Sequence, residues 1–154
     1  MKIPLVTQLP RRGTTAIEFA LLGPIFFLLV LAIVEFGRTF MVMELLANAA
    51  RIGCRQGILE GTSNQQITDA AVNFLNSVGI SGGSVQVIVN DASGNTVEAA
   101  TMPAYTEITV LAQVPVSQVT WLPVAGMQIF LPGVGNVSAG PTGTLAGQFT
   151  MRRE

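Results

Sequence analysis

Residues 11–34 read RRGTTAIEFALLGPIFFLLVLAIV, in which two arginines precede one carboxylate and a charge-free apolar run. No side chain is charged from Phe19 to Val34, and counted from Thr14 the segment has the roughly 20 residues that a helix needs to cross a bilayer. Glu18, at the start of this helix, is costly to place in hydrocarbon and therefore requires a partner. The sequence predicts a transmembrane helix over residues 14–34 with one acid of functional interest.

The composition indicates a membrane protein without a catalytic centre. Of the 154 residues, 49% are hydrophobic and only 11% are charged, which is too apolar for an ordinary soluble domain. Histidine is absent, so the commonest general base and metal ligand is missing. The net charge of −1 does not provide the excess of positive charge that is typical of nucleic-acid-binding proteins. We expect no enzyme activity, no cofactor, no metal and no nucleic-acid partner.

Basic residues are placed unevenly about the apolar run. Lys2, Arg11 and Arg12 precede it without an acid among them. Because loops rich in lysine and arginine stay in the cytoplasm, the N-terminus is predicted to be cytoplasmic and everything after Val34 extracytoplasmic. The chain is then a single-pass inner-membrane protein that contacts membrane lipid.

The helix is predicted to continue beyond the membrane to about Gln56. An apolar stripe recurs at steps of three and four residues on one face, formed by Phe36, Phe40, Met43, Ala47, Ala50 and Cys54. After a break at Gly57 and Gly61, Ser63 and Gln66 have the spacing of a capping box. A second amphipathic helix follows, and Gly79 is placed to end it in the left-handed conformation.

Alternating hydrophobic residues predict strands in the second half of the chain. Val85, Val87 and Val89 form one strand, and a short return strand near residues 96–100 is expected to close a hairpin. Further strands are predicted at residues 108–114 and 142–152, with an irregular or short helical connector over residues 115–141 between them. The predicted fold is α+β and pilin-like, with a long N-terminal helix packed on a short helix and a small antiparallel sheet.

The segment RRGTTAIEFALLGP resembles the cleavage and anchoring motif of type IV prepilins and, more closely, of the TadE-like family of pseudopilins from tight-adherence (Flp pilus) systems. The resemblance continues through IVEFGRTF and ANAARIGCRQG, and the terminal MRRE is similar to the usual ending of this family. It covers about the first third of the chain and its last few residues. The family implies a non-catalytic role in building or anchoring a pilus or a related secretion apparatus.

The resemblance also implies a processing site. A prepilin peptidase would remove residues 1–13 as a cytoplasmic leader, cutting between Gly13 and Thr14, with Arg11 and Arg12 as the leader charges. Glu18 would become the fifth mature residue. Together with Phe19 it would set the register of assembly, through an ion pair with the amine of a neighbouring subunit. The family's usual partners are the peptidase, a companion pseudopilin or pilin, and the inner-membrane assembly platform.

Simpler interpretations stay open for several of these residues. Glu18 can instead extend to the lipid head groups, and Pro24 can be a tolerated helix kink rather than a functional hinge. Cys54 is expected to be a small buried hydrophobe with an inert thiol, and no disulfide is expected. Glu98 and Glu107 are expected to be solvated strand residues rather than a catalytic pair. Arg152 and Arg153 are expected at an exposed strand end.

Two other protein classes were weighed against the pilin interpretation. In the first, a secretory signal peptide ends at Ala47-Asn48-Ala49, but that site lies unusually far beyond the apolar core. In the second, an uncleaved signal anchor carries an extracytoplasmic ligand-binding domain, with Trp121, Phe130 and Leu131 as a recognition patch. The predicted organisation has a leader at 1–13, a transmembrane helix at 14–34 and an extracytoplasmic domain at 35–154.

Overall fold

The computed structural model describes residues 12–90, 96–101, 106–119 and 143–153, with the backbone alone at residues 12–14. Its elements are helices α1 (Arg12–Gly57) and α2 (Asn64–Ser77), strands β1 (Ser84–Val89), β2 (Glu107–Pro115) and β3 (Thr144–Arg152), and two short 3-10 turns (Ala99–Thr101 and Val116–Gln118). The chain divides into two compact units, residues 1–36 and residues 37–154. The predicted α+β fold with a long N-terminal helix is confirmed.

The first unit is described from residue 12 as the N-terminal part of α1. Its large apolar side chains from Ile17 to Val34 are between 40% and 74% exposed. Pro24 lies inside the helix, which continues on both sides of it. Among the described residues, α1 is the one helix long and apolar enough to cross a membrane. The hydrophobic surface of this unit therefore fits a bilayer or the helices of other subunits.

In the second unit, the C-terminal part of α1 packs on the sheet through one continuous face. The buried residues follow the helical period and are Thr39, Val42, Met43, Leu46, Ala49, Ala50, Gly53, Cys54 and Gly57. The predicted stripe was therefore wrong at its beginning, since Phe36 and Phe40 are each 45% exposed. The face that packs is rich in small residues, because here the helix backbone closely approaches a strand.

Gly147 of β3 is the point of that close approach. A Cβ atom built on Gly147 would overlap main-chain atoms of Leu46 and Ala47. Since main-chain atoms of a helix cannot move aside as a flexible side chain can, only glycine fits at this crossing. Gly57 is similarly enclosed, by the side chains of Ile67 and Ile108. The packing of α1 on the sheet thus depends on glycine in both elements.

Helix α2 begins and ends as its sequence predicts. The Ser63 hydroxyl accepts a hydrogen bond from the Gln66 amide, and the Gln66 side chain accepts one from the Ser63 amide. At the other end Gly79 has a φ of 80°, and the Ile80 amide donates to the Leu75 carbonyl at 2.9 Å. These are a capping box and a Schellman motif, which satisfy backbone groups that a helix end leaves unpaired.

The three strands form one antiparallel sheet in the order β1-β2-β3. The central strand β2 pairs Val110 with Val87 on one side and with Phe149 on the other. Its alternate residues face the helices and are buried, namely Ile108, Val110, Ala112 and Val114. The predicted first, central and last strands are all present, and β1 and β2 bury the face that their alternation indicates.

The predicted return strand near residues 96–100 was wrong. This segment makes one isolated bridge, between Asn90 and Thr96, and then turns into a 3-10 helix, while β1 pairs directly with β2. The cause is Asn64, whose side-chain amide donates to the Val97 carbonyl and accepts from the Ala99 amide. These two bonds take backbone groups that a strand ladder would need. The connector residues Trp121, Phe130 and Leu131 lie outside the described residues.

Candidate assembly site

The predicted processing and assembly residues lie along one stretch of α1. Arg11 is outside the described residues, and α1 begins at Arg12, so the bond between Gly13 and Thr14 lies in its first turn. A protease binds its substrate in extended form, so cleavage there requires that this turn unwind. It is the first turn of the helix, where few backbone hydrogen bonds oppose unwinding.

Glu18 is an exposed carboxylate on an otherwise apolar helix surface. Its neighbours one turn further on, Leu21 and Leu22, are 72% and 62% exposed. Within the part of the chain that the structure describes, the Glu18 carboxylate makes no side-chain hydrogen bond or ion pair. It also lies beyond the first turn of α1, in which no acid is present. Removal of residues 1–13 would bring it close to the new helix start and its positive dipole end.

Phe19 and Pro24 complete the predicted set on the same helix. Phe19 is 74% exposed, and Pro24 is also exposed. The structure does not bring these residues together into a pocket; they are spread over several turns of α1. Such a linear arrangement can pack against lipid or against a second helix, with Glu18 as its one charged contact.

Glu98 and Glu107, the two carboxylates that could have suggested a catalytic pair, lie in different structural settings. The Glu98 carboxylate accepts a hydrogen bond from the backbone amide of Asn64 at 3.0 Å and so stabilises the start of α2. It lies outside any strand, which corrects the prediction for this residue, whereas Glu107 is the exposed first residue of β2. Over the described ranges, no group of three or more histidine, cysteine or acidic residues is arranged to hold a metal ion.

Cys54 is a core residue, as predicted. Its side chain is fully buried, and its Sγ lies 3.5 Å from the Ile108 carbonyl oxygen and 3.2 Å from the Phe149 carbonyl oxygen. Burial raises the pKa of the Cys54 thiol above its ordinary value, although backbone hydrogen bonds from Val110 and Met151 oppose this. A protonated, enclosed thiol is a poor nucleophile. Cys54 therefore stabilises the contact of α1 with β2 and β3.

Arg153 corrects the prediction of an exposed strand end. Its side chain is 3% exposed, whereas its neighbour Arg152 is exposed. The Arg153 guanidinium donates hydrogen bonds to the carbonyls of Ile58, Leu59 and Ala99 at 3.3, 2.6 and 3.0 Å. Two of these carbonyls directly follow the end of α1, where a positive charge is favoured by the helix dipole.

The alternation of inward and outward residues along the last strand would have identified Arg153 as an inward-facing residue. The residues of β3 that face the helices are Leu145, Gly147, Phe149 and Met151, and Arg153 is next in the same alternation. An arginine in the inward phase at the end of a strand predicts a buried cation that needs carbonyl acceptors. The close approach at Gly147 had a weaker signal, because a glycine inside a strand can mark a bulge, a bend or a close backbone approach, and the sequence alone does not distinguish these.

Comparison with known proteins gives one match. No curated protein and no solved structure matches the chain. The family model described as TadE-like protein matches residues 13–55, which contain Glu18, Phe19 and Pro24 together with most of α1. This match confirms the resemblance of the N-terminal part of the chain to the TadE-like family, which is pilus-associated and non-enzymatic.

Proposed function

We propose that this chain is a non-catalytic minor pilin or pseudopilin that helps to assemble or anchor a Flp-type (tight-adherence) pilus or a related secretion apparatus. The observation that carries this proposal is the family match over residues 13–55, on a helix whose apolar side chains are exposed from Ile17 to Val34. A helix with this surface requires an apolar environment that the described chain does not provide. Lipid provides it before assembly, and helices of other subunits provide it afterwards.

The proposal assigns a role to each residue of the processing segment. A prepilin peptidase cuts between Gly13 and Thr14 on the cytoplasmic side, where Arg11 and Arg12 hold the leader. The new α-amino group of one subunit then pairs with the Glu18 carboxylate of a neighbour. An ion pair in an apolar environment is favourable only with close geometry, so it permits few relative positions of two subunits. In this way Glu18 sets the relative position of neighbouring subunits, with Phe19 packing beside it.

Processing is tested by sequencing the N-terminus of the mature protein isolated from its native host. We expect it to begin at Thr14, and we expect the leader to remain on a Gly13→Val variant, because the branched side chain obstructs the scissile bond. A wild-type protein that begins at Met1 would contradict the proposal and favour an uncleaved signal-anchored domain. A protein that begins at Ala50 would favour the alternative in which residues 1–49 are a secretory signal peptide.

The role of Glu18 is tested by replacing it with alanine and following the protein into the assembled apparatus. Glu18→Ala is expected to be processed and folded but not incorporated, because the amine of the neighbouring subunit loses its partner. Glu44→Ala is the matched control, since Glu44 is exposed on the second unit outside the predicted span. Equal incorporation of both variants would contradict the register role. Co-purification with a companion pseudopilin and the assembly platform tests the proposed partners.

A further inference from the structure

Within the part of the chain that the structure describes, strand β3 is an open edge of the sheet. It pairs with β2 alone, and no described strand lies on its other side. The opposite edge, β1, is partly occupied, since the Val97 amide donates to the Val89 carbonyl at 2.9 Å and Asn90 forms a bridge with Thr96. An open edge presents backbone donors and acceptors to any extended segment that comes alongside.

The second half of β3 lacks the usual protection against such pairing. Leu145, Ala146 and Gly147 are buried, whereas residues 148–151 are exposed or half-buried. Residues 148–151 contain no proline and no charged residue, which are the common devices that prevent edge pairing; such charges come only at the end of the strand, at Arg152 and the inward-facing Arg153. Phe149 and Met151 face the helix side and are only half-buried, so they offer apolar contacts to a neighbour.

One arginine of α1 contacts this strand, and a second lies one helical turn beyond it. The Arg51 guanidinium lies 4.9 Å from the centre of the Phe149 ring and donates to the Asn48 side chain at 3.1 Å. Arg55 is exposed one turn further along the same helix face. Within the described ranges no carboxylate pairs with either arginine. A segment placed along β3 would therefore meet two positive charges on its helix-facing side.

We propose that residues 148–151 of β3, with Arg51 and Arg55, form a strand-addition site for an extended acidic segment of another protein in the apparatus. This inference depends on the proposed function in one respect, namely that the partner belongs to the pilus or secretion apparatus. Backbone pairing with β3 provides affinity, and carboxylates on alternate residues facing α1 provide specificity. The residues of that partner facing the opposite side would meet Gln148 and Thr150.

A second copy of this chain is a poorer occupant of the site. Its own edge strands, SVQVIV and TLAGQFTMR, contain no acid that could face the two arginines. Residues 120–142 of the same chain contain no charged residue either, so they offer no carboxylate to the two arginines. Charge complementarity therefore favours a different polypeptide.

The test uses the purified full-length chain in detergent and three synthetic nine-residue peptides. In each peptide valine alternates with glutamate, lysine or threonine, and binding is measured by fluorescence anisotropy. We expect the glutamate peptide to bind roughly tenfold more tightly than the threonine peptide, and the lysine peptide to bind most weakly. Hydrogen exchange should slow at residues 148–151 when the glutamate peptide binds, but not along β1.

Charge reversal makes the test specific. In an Arg51→Glu/Arg55→Glu variant the preference should invert in favour of the lysine peptide. Circular dichroism should stay unchanged and thermal unfolding should shift only slightly, because both positions are exposed and the contact of Arg51 with Phe149 and the charge of Arg55 at the end of α1 are each worth about 1 kcal/mol or less. Equal binding of all three peptides, an unchanged preference after reversal, protection along β1, or self-association would each overturn the inference. If the chain is still processed at Thr14 in cells, the proposed function survives such a result.

Discussion

The two halves of α1 belong to one continuous helix but differ in charge and in surroundings. From Ile17 to Val34 the large apolar side chains are exposed, and Glu18 makes no polar contact among the described residues. From Thr39 to Gly57 one face of the same helix is buried against the protein's own sheet and α2. The first half has no charged side chain from Phe19 to Val34, whereas the second half carries Glu44, Arg51 and Arg55 on the faces that it leaves exposed. The first half therefore exposes an apolar surface, and the second anchors the folded domain.

Gly147→Ala should have the largest effect on this second contact. The added methyl group would overlap main-chain atoms of α1 at Leu46 and Ala47, so either the helix or the strand must move. We expect a loss of at least about 4 kcal/mol in the free energy of unfolding, measured by denaturant titration of the full chain in detergent. In Gly37→Ala the new Cβ meets no other group, so this control should change stability by no more than about 1 kcal/mol.

Leucine truncation compares the two halves directly. Leu46 is fully buried, so Leu46→Ala should cost about 2–5 kcal/mol of domain stability, through lost burial and a cavity. Leu29 is 54% exposed, so Leu29→Ala should leave domain unfolding unchanged in the same detergent titration. Equal losses for the two variants would show that the membrane half also contributes to the domain core, contrary to the distinction drawn here.

Removing the Arg153 side chain tests whether the end of α1 is held by the end of the chain. Arg153→Met leaves the carbonyls of Ile58, Leu59 and Ala99 without these donors, and we expect a cost of about 2–3 kcal/mol. Arg55→Met is the matched control because Arg55 is exposed, and it should cost less than about 1 kcal/mol. The midpoint of urea unfolding distinguishes the two, and similar shifts would argue against a special role for Arg153.

The smallest loss of stability is expected at the start of α2, where local hydrogen bonds cap the helix. Ser63→Ala removes the acceptor for the Gln66 amide at the start of α2, which should cost about 1 kcal/mol. Ser81→Ala, at an exposed position outside the helices and strands, should cost almost nothing. Thermal unfolding of the two variants makes the comparison. A loss at Ser63 as large as that at Leu46 would mean that capping, rather than burial, holds α2 in place.

Most elements were predictable because their signals are local. The charge-free run after Glu18, the capping box at Ser63 and the turn at Gly79 each depend on a few neighbouring residues. The alternation in β2 likewise showed which of its faces is buried. The assembly residues could be proposed from the sequence because they form one contiguous motif, and the family match covers that motif.

The errors occurred where distant segments compete for the same groups. The return strand near residues 96–100 is absent because the Asn64 side chain takes the backbone groups of Val97 and Ala99. The buried face of α1 begins at Thr39 and Val42 rather than at Phe36 and Phe40, which are each 45% exposed. The segments that cover this face, like Asn64, lie far in the sequence from the residues that they affect.

The sequence by itself determined both helices, the three strands of the sheet and the single acid at the start of a charge-free apolar run, because hydrophobic period, capping residues and charge act over a few residues. Only the tertiary structure decided which helix face is buried, which strands pair, and that Arg153 lies inside while Arg51 and Arg55 stay outside. Those outcomes depend on close packing and on backbone hydrogen bonds between segments that meet only after folding.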